Sequence, residues 1–253
     1  MPVGVPKVPF VVRKTKKKKP KDIYRYEEEY EEKEDGDAPA AAGAQIAEEE
    51  EEEVVEETEW VDLYDALYQE RTIFLSGEIN QEQATCVNGL LIYLSTKDPT
   101  KDINLYINSH GGDIAAGLSI YDTMQLVDAD VRTICMGTAA SIASVILVGG
   151  EVGKRLAFPH SRIMIIQPSG DFTEHSSGDL FLDSEIIKGY RRDLTSILNK
   201  RTGKRSSTLW KHMERDRYMS AQKAKIYGII DGIAEKKKDE NEFNINNEIQ
   251  FFD

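Results

Sequence analysis

The chain has 253 residues, room for one large domain or two small ones, of which 40% are hydrophobic and 30% charged, with a formal net charge of −13. Residues 1–60 carry 18 Asp/Glu against 10 Lys/Arg, and the remaining 193 carry 27 against 22, so the body reads as an ordinary, mildly acidic globular domain with a charged appendage. The body shows no concentrated basic patch, and no apolar run reaches the roughly 18–20 residues of a bilayer span, which argues against a nucleic-acid face and a membrane helix.

In chain order, Met1–Phe10 has no cationic flank before an apolar run and resembles neither a signal peptide nor a Ser/Arg-rich transit peptide, so the protein is expected to work where it is made. Lys14–Lys21 is basic, Glu27–Glu34 and Glu48–Glu57 are acidic, and Asp35–Ala44 between them is rich in Gly, Ala and Pro. Like-charge blocks repel themselves and bury little, so residues 11–57 are expected to be disordered, as a solvated spacer or as an interaction arm. Order is expected to begin near Trp60.

Trp60–Arg71 repeats Val61, Leu63, Tyr64, Leu67 and Tyr68 at helical spacing, and Thr72–Leu75 reads as a short strand. Gln81–Leu94 is a predicted helix, Asp102–Asn108 a buried strand, Ala115–Val127 a helix and Val131–Met136 a second buried strand. Ala139–Val148 reads as a small-residue helix closed by Gly149 and Gly150, and Arg162–Ile166 as a further strand. Asp179–Arg201 is a long amphipathic helix. Ser206–Arg215 and Ala221–Tyr227 are shorter ones, the latter capped by Ser220. Strands alternating with helices predict parallel βαβ units in an α/β domain over 58–234, and the charged, Asn-rich segment 235–253 is expected to be loose. Cys86 and Cys135 are too few for a disulfide framework, and Cys135 in its apolar run reads as a packed free thiol suited to a reducing compartment.

Two strand-to-helix junctions are candidates for chemistry. In Ile107-Asn108-Ser109-His110-Gly111-Gly112 a strand ends in paired glycines, which allow positive φ and close backbone approach and leave amides able to face an oxyanion. By itself the pair is a weak signal and reads first as a plain turn. In Met136-Gly137-Thr138-Ala139-Ala140-Ser141-Ile142-Ala143-Ser144 a serine stands at the first turn of a small-residue helix, a place that suits a nucleophile and also an ordinary capping serine. The segment lacks the G-x-S-x-G elbow of α/β-hydrolases.

Taken together and in order, these segments resemble the Clp protease proteolytic subunit. The resemblance extends over residues 58–234 through Ile120–Gln125, Gly153-Lys154-Arg155, Ile165-Ile166-Gln167-Pro168, Met213–Arg217 and Tyr227–Asp231. Met1–Phe10, Leu156–His160 and Lys200–Lys204 resemble the plastid-encoded branch in particular. The resemblance implies a crotonase-like ββα spiral with a helical handle that joins two heptameric rings into a tetradecamer. It implies a serine peptidase degrading unfolded polypeptide delivered by a Clp/Hsp100 ATPase, beside other ClpP and ClpR subunits in the plastid stroma. ATP would be consumed by that partner, with no cofactor on this chain, and residues 1–10 would lie at the axial pore. Carried over by position, the nucleophile is Ser141, the triad acid Asp216, and the oxyanion amides those of Gly112 and Ile142.

The departure is at the base, because Ile166 stands where the family has histidine. Isoleucine accepts no proton, and a serine hydroxyl needs a base near neutrality. Of the other histidines, His160, His175 and His212 read as solvated or packing residues, and His110 alone is expected near the site. Three readings compete: a working peptidase subunit, a non-catalytic ClpR-like ring member, and an acyl-CoA enzyme of the same fold. The third is the weakest, since no acyl-CoA feature is evident.

Overall fold

The computed structural model describes residues 7–17, 52–170 and 177–235. The chain divides into two compact units, Met1–Ala66 and Leu67–Asp253.

In the first unit, strand β1 (Lys7–Lys17) pairs antiparallel with β2 (Glu52–Asp62), in register from Lys7 opposite Asp62 to Lys17 opposite Glu52. The expected disorder over 11–57 is therefore corrected at both ends, and residues 18–51 lie outside the described ones. Each like-charge run repels itself when taken singly, whereas the fold sets the runs opposite each other. The register sets positions 13, 16 and 17 opposite positions 56, 53 and 52. The same pairing claims Trp60, Val61 and Asp62 for β2, so helix α1 (Leu63–Gln69) starts three residues later than its periodicity suggests.

The second unit runs β3 (Thr72–Ile79), α2 (Gln81–Lys97), β4 (Ile103–Gly112), α3 (Ile114–Leu126), β5 (Val131–Ala140), α4 (Ile142–Val148), β6 (Arg155–Ala157) and β7 (Arg162–Ile165). It continues through α5 (Ser177–Thr202), α6 (Ser206–His212), β8 (Arg217–Ser220), α7 (Ala221–Tyr227) and β9 (Gly232–Ile233). The helix starts follow from their caps: the side chains of Asn80, Asp113 and Ser220 accept from amides of the first turns of α2, α3 and α7. Gly228 ends α7 in the left-handed region at φ 94°, where glycine carries no side-chain penalty.

The sheet order is β3-β4-β5-β6-β9 with parallel neighbours, and β7 runs beside the far half of β5 with β8 antiparallel to it. Strand β5 serves both edges because it kinks: its register against β4 shifts between Ile107 opposite Cys135 and Ser109 opposite Ala139. Asn108 fills the kink, its Oδ1 accepting from the Thr138 amide at 3.2 Å. A Cβ on Gly137 would lie 2.8 Å from that oxygen.

The core lies between α2, α3, α4 and the sheet, with Leu91, Ile103, Leu105, Ile107, Ile120 and Ile146 fully buried. Cys135 is packed within it, and burial pushes its thiol up to about 11, against a smaller downward pull from Ser161. The four-residue-or-shorter strands β6, β8 and β9 are absent from the sequence reading. Strand β8 is held by its pairing with β7, and β6 and β9 are tied through Arg155, the first residue of β6 and 4% exposed, which forms a two-pronged ion pair with Asp231 through Nε (2.8 Å) and Nη2 (2.5 Å). Its Nη1 also reaches the carbonyls of Arg201 and Gly228, tying β6 to the end of α5 and the α7–β9 turn.

Candidate active site

Strand β4 alternates buried and outward residues to its last position and ends against β3 and β5. A side chain on Gly112 (φ 152°) would put Cβ 2.2 Å from the Ile79 carbonyl oxygen and 2.7 Å from the Ile79 nitrogen. Gly111 (φ 102°) is as constrained on the other side: its Cβ would lie 2.8 Å from Ser141 Cβ and 3.4 Å from Ser141 Oγ. The paired glycines are thus what brings the β4 end against Ser141. Their turn is tied by the Gly111 amide donating to Ser109 Oγ at 3.0 Å, within a residue that is itself buried.

Ser141 sits between β5 and α4 at φ 54°, ψ −127°, one of two non-glycine residues with positive φ among the described residues. Such a conformation stores strain and is found where a side chain must be aimed. The small-residue pattern puts Ser141 inside a helix beginning at Ala139. In the structure β5 runs on to Ala140, Ser141 forms the turn, and the helix starts at Ile142. The serine makes no side-chain cap, its amide donates to the Met164 carbonyl at 3.1 Å, and its carbonyl accepts from both the amide and the hydroxyl of Ser144. Ser141 is left half-exposed. Ile142 turns its side chain away, into the notch over Gly117, where an added Cβ would lie 2.2 Å from Ile142 Cγ1. Its backbone amide, at the first position of α4, has no intrahelical partner.

Strand register places the remaining positions. Ala140 is opposite Met164, and Ile165 is opposite Arg217. One step beyond the first pair Ser141 comes opposite Ile165, and one step beyond the second Ile166 comes opposite Asp216. Gln167 holds that continuation, its amide donating to the Met213 carbonyl at 2.7 Å and its side chain to the Glu214 carbonyl at 3.3 Å. With neighbouring strands about 4.8 Å apart, the three positions stand side by side at one end of the sheet. Ile166 is half-buried, and Asp216 is exposed in a cleft of about 470 Å³ that it shares with Lys204, Arg217 and Lys223 and that neither Ser141 nor Ile166 lines.

Among the described histidines none is placed on the serine by a hydrogen bond, and His212 pairs instead with Tyr227, Nδ1 to hydroxyl, at 2.8 Å. Burial, with Arg217 and Lys204 nearby, holds the His212 ring below its usual range. His110 is exposed one residue before Gly111, His160 is exposed after β6, and His175 lies outside the described residues.

The whole arrangement lies within residues 55–237, which match the family model described as Clp protease. The chain belongs to the Clp protease family. It is 50% identical over 179 residues to the ATP-dependent Clp protease proteolytic subunit of Lactuca sativa, covering 71% of this chain and 91% of that one. The subunit of the same description from Nicotiana tabacum gives the same identity and coverage. That of the alga Chaetosphaeridium globosum is 48% identical over 178 residues, with 70% and 89% covered. By family, then, this Clp chain is a proteolytic-core subunit of serine-endopeptidase type with the mixed α/β Clp protease fold. Sequence reasoning missed Arg155 and Asp231 as a structural pair, although both stand in blocks that carried the resemblance. It also missed Asn108 and Gln167 as the residues that shape the two strand ends.

Gly112 gives this geometry a direct test. Gly112→Ala forces a Cβ into backbone atoms of Ile79, which have no room to yield, at a φ that L residues rarely adopt. The substitution is expected to lower the thermal midpoint, whereas Gly89→Ala, which meets open space on α2, does not lower it.

Proposed function

We propose that this chain forms part of the wall of an ATP-dependent Clp degradation chamber while contributing little hydrolysis of its own. The observation that carries this reading is the trio of adjacent strand ends holding Ser141, Ile166 and Asp216. In the proposed assignment Ser141 is the nucleophile, Asp216 the triad acid, and the amides of Gly112 and Ile142 the oxyanion donors. Ile166 occupies the base position and accepts no proton, so the serine lacks the group that would deprotonate it. Unfolded polypeptide would be cut by histidine-bearing subunits sharing the ring, which places this chain functionally near the ClpR type.

The partners follow from the family: a Clp/Hsp100 ATPase that spends the ATP, and other ClpP and ClpR subunits in two stacked heptameric rings, working in the plastid stroma, as the plant and algal relatives suggest. Support for ring stacking comes from α5, whose first half exposes Leu180, Phe181, Leu182 and Ile186. Such an unpartnered apolar face fits a handle that packs on another ring. Native mass spectrometry of the complex purified from its source is expected to show this chain in a heptameric ring with at least one histidine-bearing Clp subunit. A stable ring of this chain alone, with peptidase activity lost on Ser141→Ala, would overturn the reading.

A further inference from the structure

The cleft of about 470 Å³ that takes in Asp216 carries charges that do not balance. Lys204, Arg217 and Lys223 line it against the single carboxylate of Asp216, so two positive charges stand uncompensated. Among the described residues none of these three cations makes an ion pair or a side-chain hydrogen bond. Carboxylates are plentiful in a chain of net charge −13, and elsewhere in the same unit Arg132, Lys154, Arg155 and Lys188 each take one. Cations gathered in a cleft and left without a carboxylate focus a positive field there, which favours a ligand that brings its own negative charge.

Separate elements fix the three positions. Lys204 follows α5 in a turn tied at both ends, its carbonyl accepting from Asn199 Nδ2 at 2.6 Å and its amide donating to Thr202 Oγ1 at 3.3 Å. Arg217 opens β8 opposite Ile165, and Lys223 stands in α7, its amide donating to Ser220 Oγ at 3.4 Å. The buried ring of Tyr227 forms part of the wall, and its hydroxyl is engaged by His212 Nδ1. Lys204 Nζ lies 5.5 Å, and the Arg217 guanidinium carbon 6.0 Å, from the centre of that ring. Both charges reach His212 as well: after burial, they are what holds its ring below the usual range. The positive charge is thus concentrated on one fixed spot.

We propose that this cleft binds a phosphate group, held by Lys204, Arg217 and Lys223 with Asp216 at its edge. Two uncompensated positive charges match a group that carries about −1.5 to −2 near neutral pH, whereas a carboxylate would leave one of them unmet. The planar fork of Arg217 suits the oxygens of a phosphate, and the two ammonium groups add point charges that adapt to it. The cleft is larger than the ion alone and has the size of a small-molecule site, so the group enters free or as the ester of a small molecule. The site does not depend on how Ser141 is activated, since neither Ser141 nor Ile166 lines it.

The test is calorimetric titration of the purified full chain with inorganic phosphate, phosphoserine and acetate, at one pH and constant ionic strength. At least one phosphate-bearing probe is expected to bind about 10-fold or more tightly than acetate. Lys204→Gln and Lys223→Gln should each weaken that binding by at least about 3-fold, and Asp216→Asn should strengthen it by a similar factor. Lys97→Gln, on the exposed last turn of α2, should leave it unchanged. Lys223 is exposed, so Lys223→Gln keeps the fold and carries the test even where Lys204→Gln costs stability. Tighter binding of inorganic phosphate than of phosphoserine assigns the free ion, and the reverse order assigns an ester. Equal affinity for acetate, or an equal loss on Lys97→Gln, would mean diffuse attraction to surface charge and would overturn the proposal. Binding of neither phosphate-bearing probe would overturn it as well.

Discussion

Ile166→His is expected to raise peptide hydrolysis at Ser141 by at least about 10²-fold. Removal of a triad member typically costs roughly 10⁴–10⁶ in turnover, and what remains comes from binding and the oxyanion amides. The Ser141 elbow is strained as an aimed side chain requires, and the paired glycines bring the β4 end to within contact of it. Position 166 is half-buried and lies one step past the Ile165–Arg217 pair, so an imidazole there stands opposite Asp216 and one residue beyond the position that continues opposite Ser141. The gain is set at the low end because the surroundings of an isoleucine are not tuned to a histidine. The rate should fall as pH drops through about 6.5, where the new base becomes protonated. Ile166→Leu should change nothing, and Ser141→Ala added to Ile166→His should return the rate to its starting level. A gain that survives Ser141→Ala would mean the serine is not the nucleophile.

Arg155→Met is expected to destabilise the body by about 3 kcal/mol, the order found when one partner of a buried pair is removed and the other is left uncompensated. Arg155 is 4% exposed, and besides Asp231 it satisfies the carbonyls of Arg201 and Gly228, so three chain segments lose an anchor together. For a domain of this size the midpoint of thermal unfolding should fall by roughly 6–12 °C. Burial alone would push the Asp231 carboxyl up. The Arg155 side-chain and backbone hydrogen bonds and its charge, with the Gly153 amide, outweigh that and hold it below the usual carboxylate range. A lowered folded pKa gives stability that is complete above the unfolded value near 3.9 and is lost as pH falls through the folded one. Arg155→Met should therefore flatten that acid limb, and an unchanged limb would show that the pair does not act as described. The more exposed contacts of Lys154 with Asp102 and Asp130 should yield a much smaller change on Lys154→Ala.

The α/β class and the order of the main elements were legible because long periodic segments carry their own signal: β4 alternates along its whole length, and α2, α3 and α7 begin at residues whose side chains cap them. The short strands β6, β8 and β9 carry too few residues for a pattern; β6 and β9 are held through the Arg155–Asp231 pair and β8 by pairing with β7, all partners distant in sequence. The β1–β2 hairpin was hidden because each of its runs is unfavourable alone and favourable only opposite the other. At the candidate site the residues were read from motifs, but not their arrangement. That Ser141 occupies a strained turn rather than a helix, and that Ile142 faces Gly117 with its side chain, depend on how β5 meets α3 and β7.

The reactivity of one hydroxyl decides most directly whether this chain cuts peptides. Treating the purified native complex with a serine-reactive phosphonate and weighing the peptide that contains Ser141 should show labelling of this chain below about 1%, under conditions that saturate the histidine-bearing subunits of the same ring. The Ile166→His chain in the same assembly should label readily. Full labelling of the unaltered chain would mean that another group activates Ser141, and would contradict the central claim.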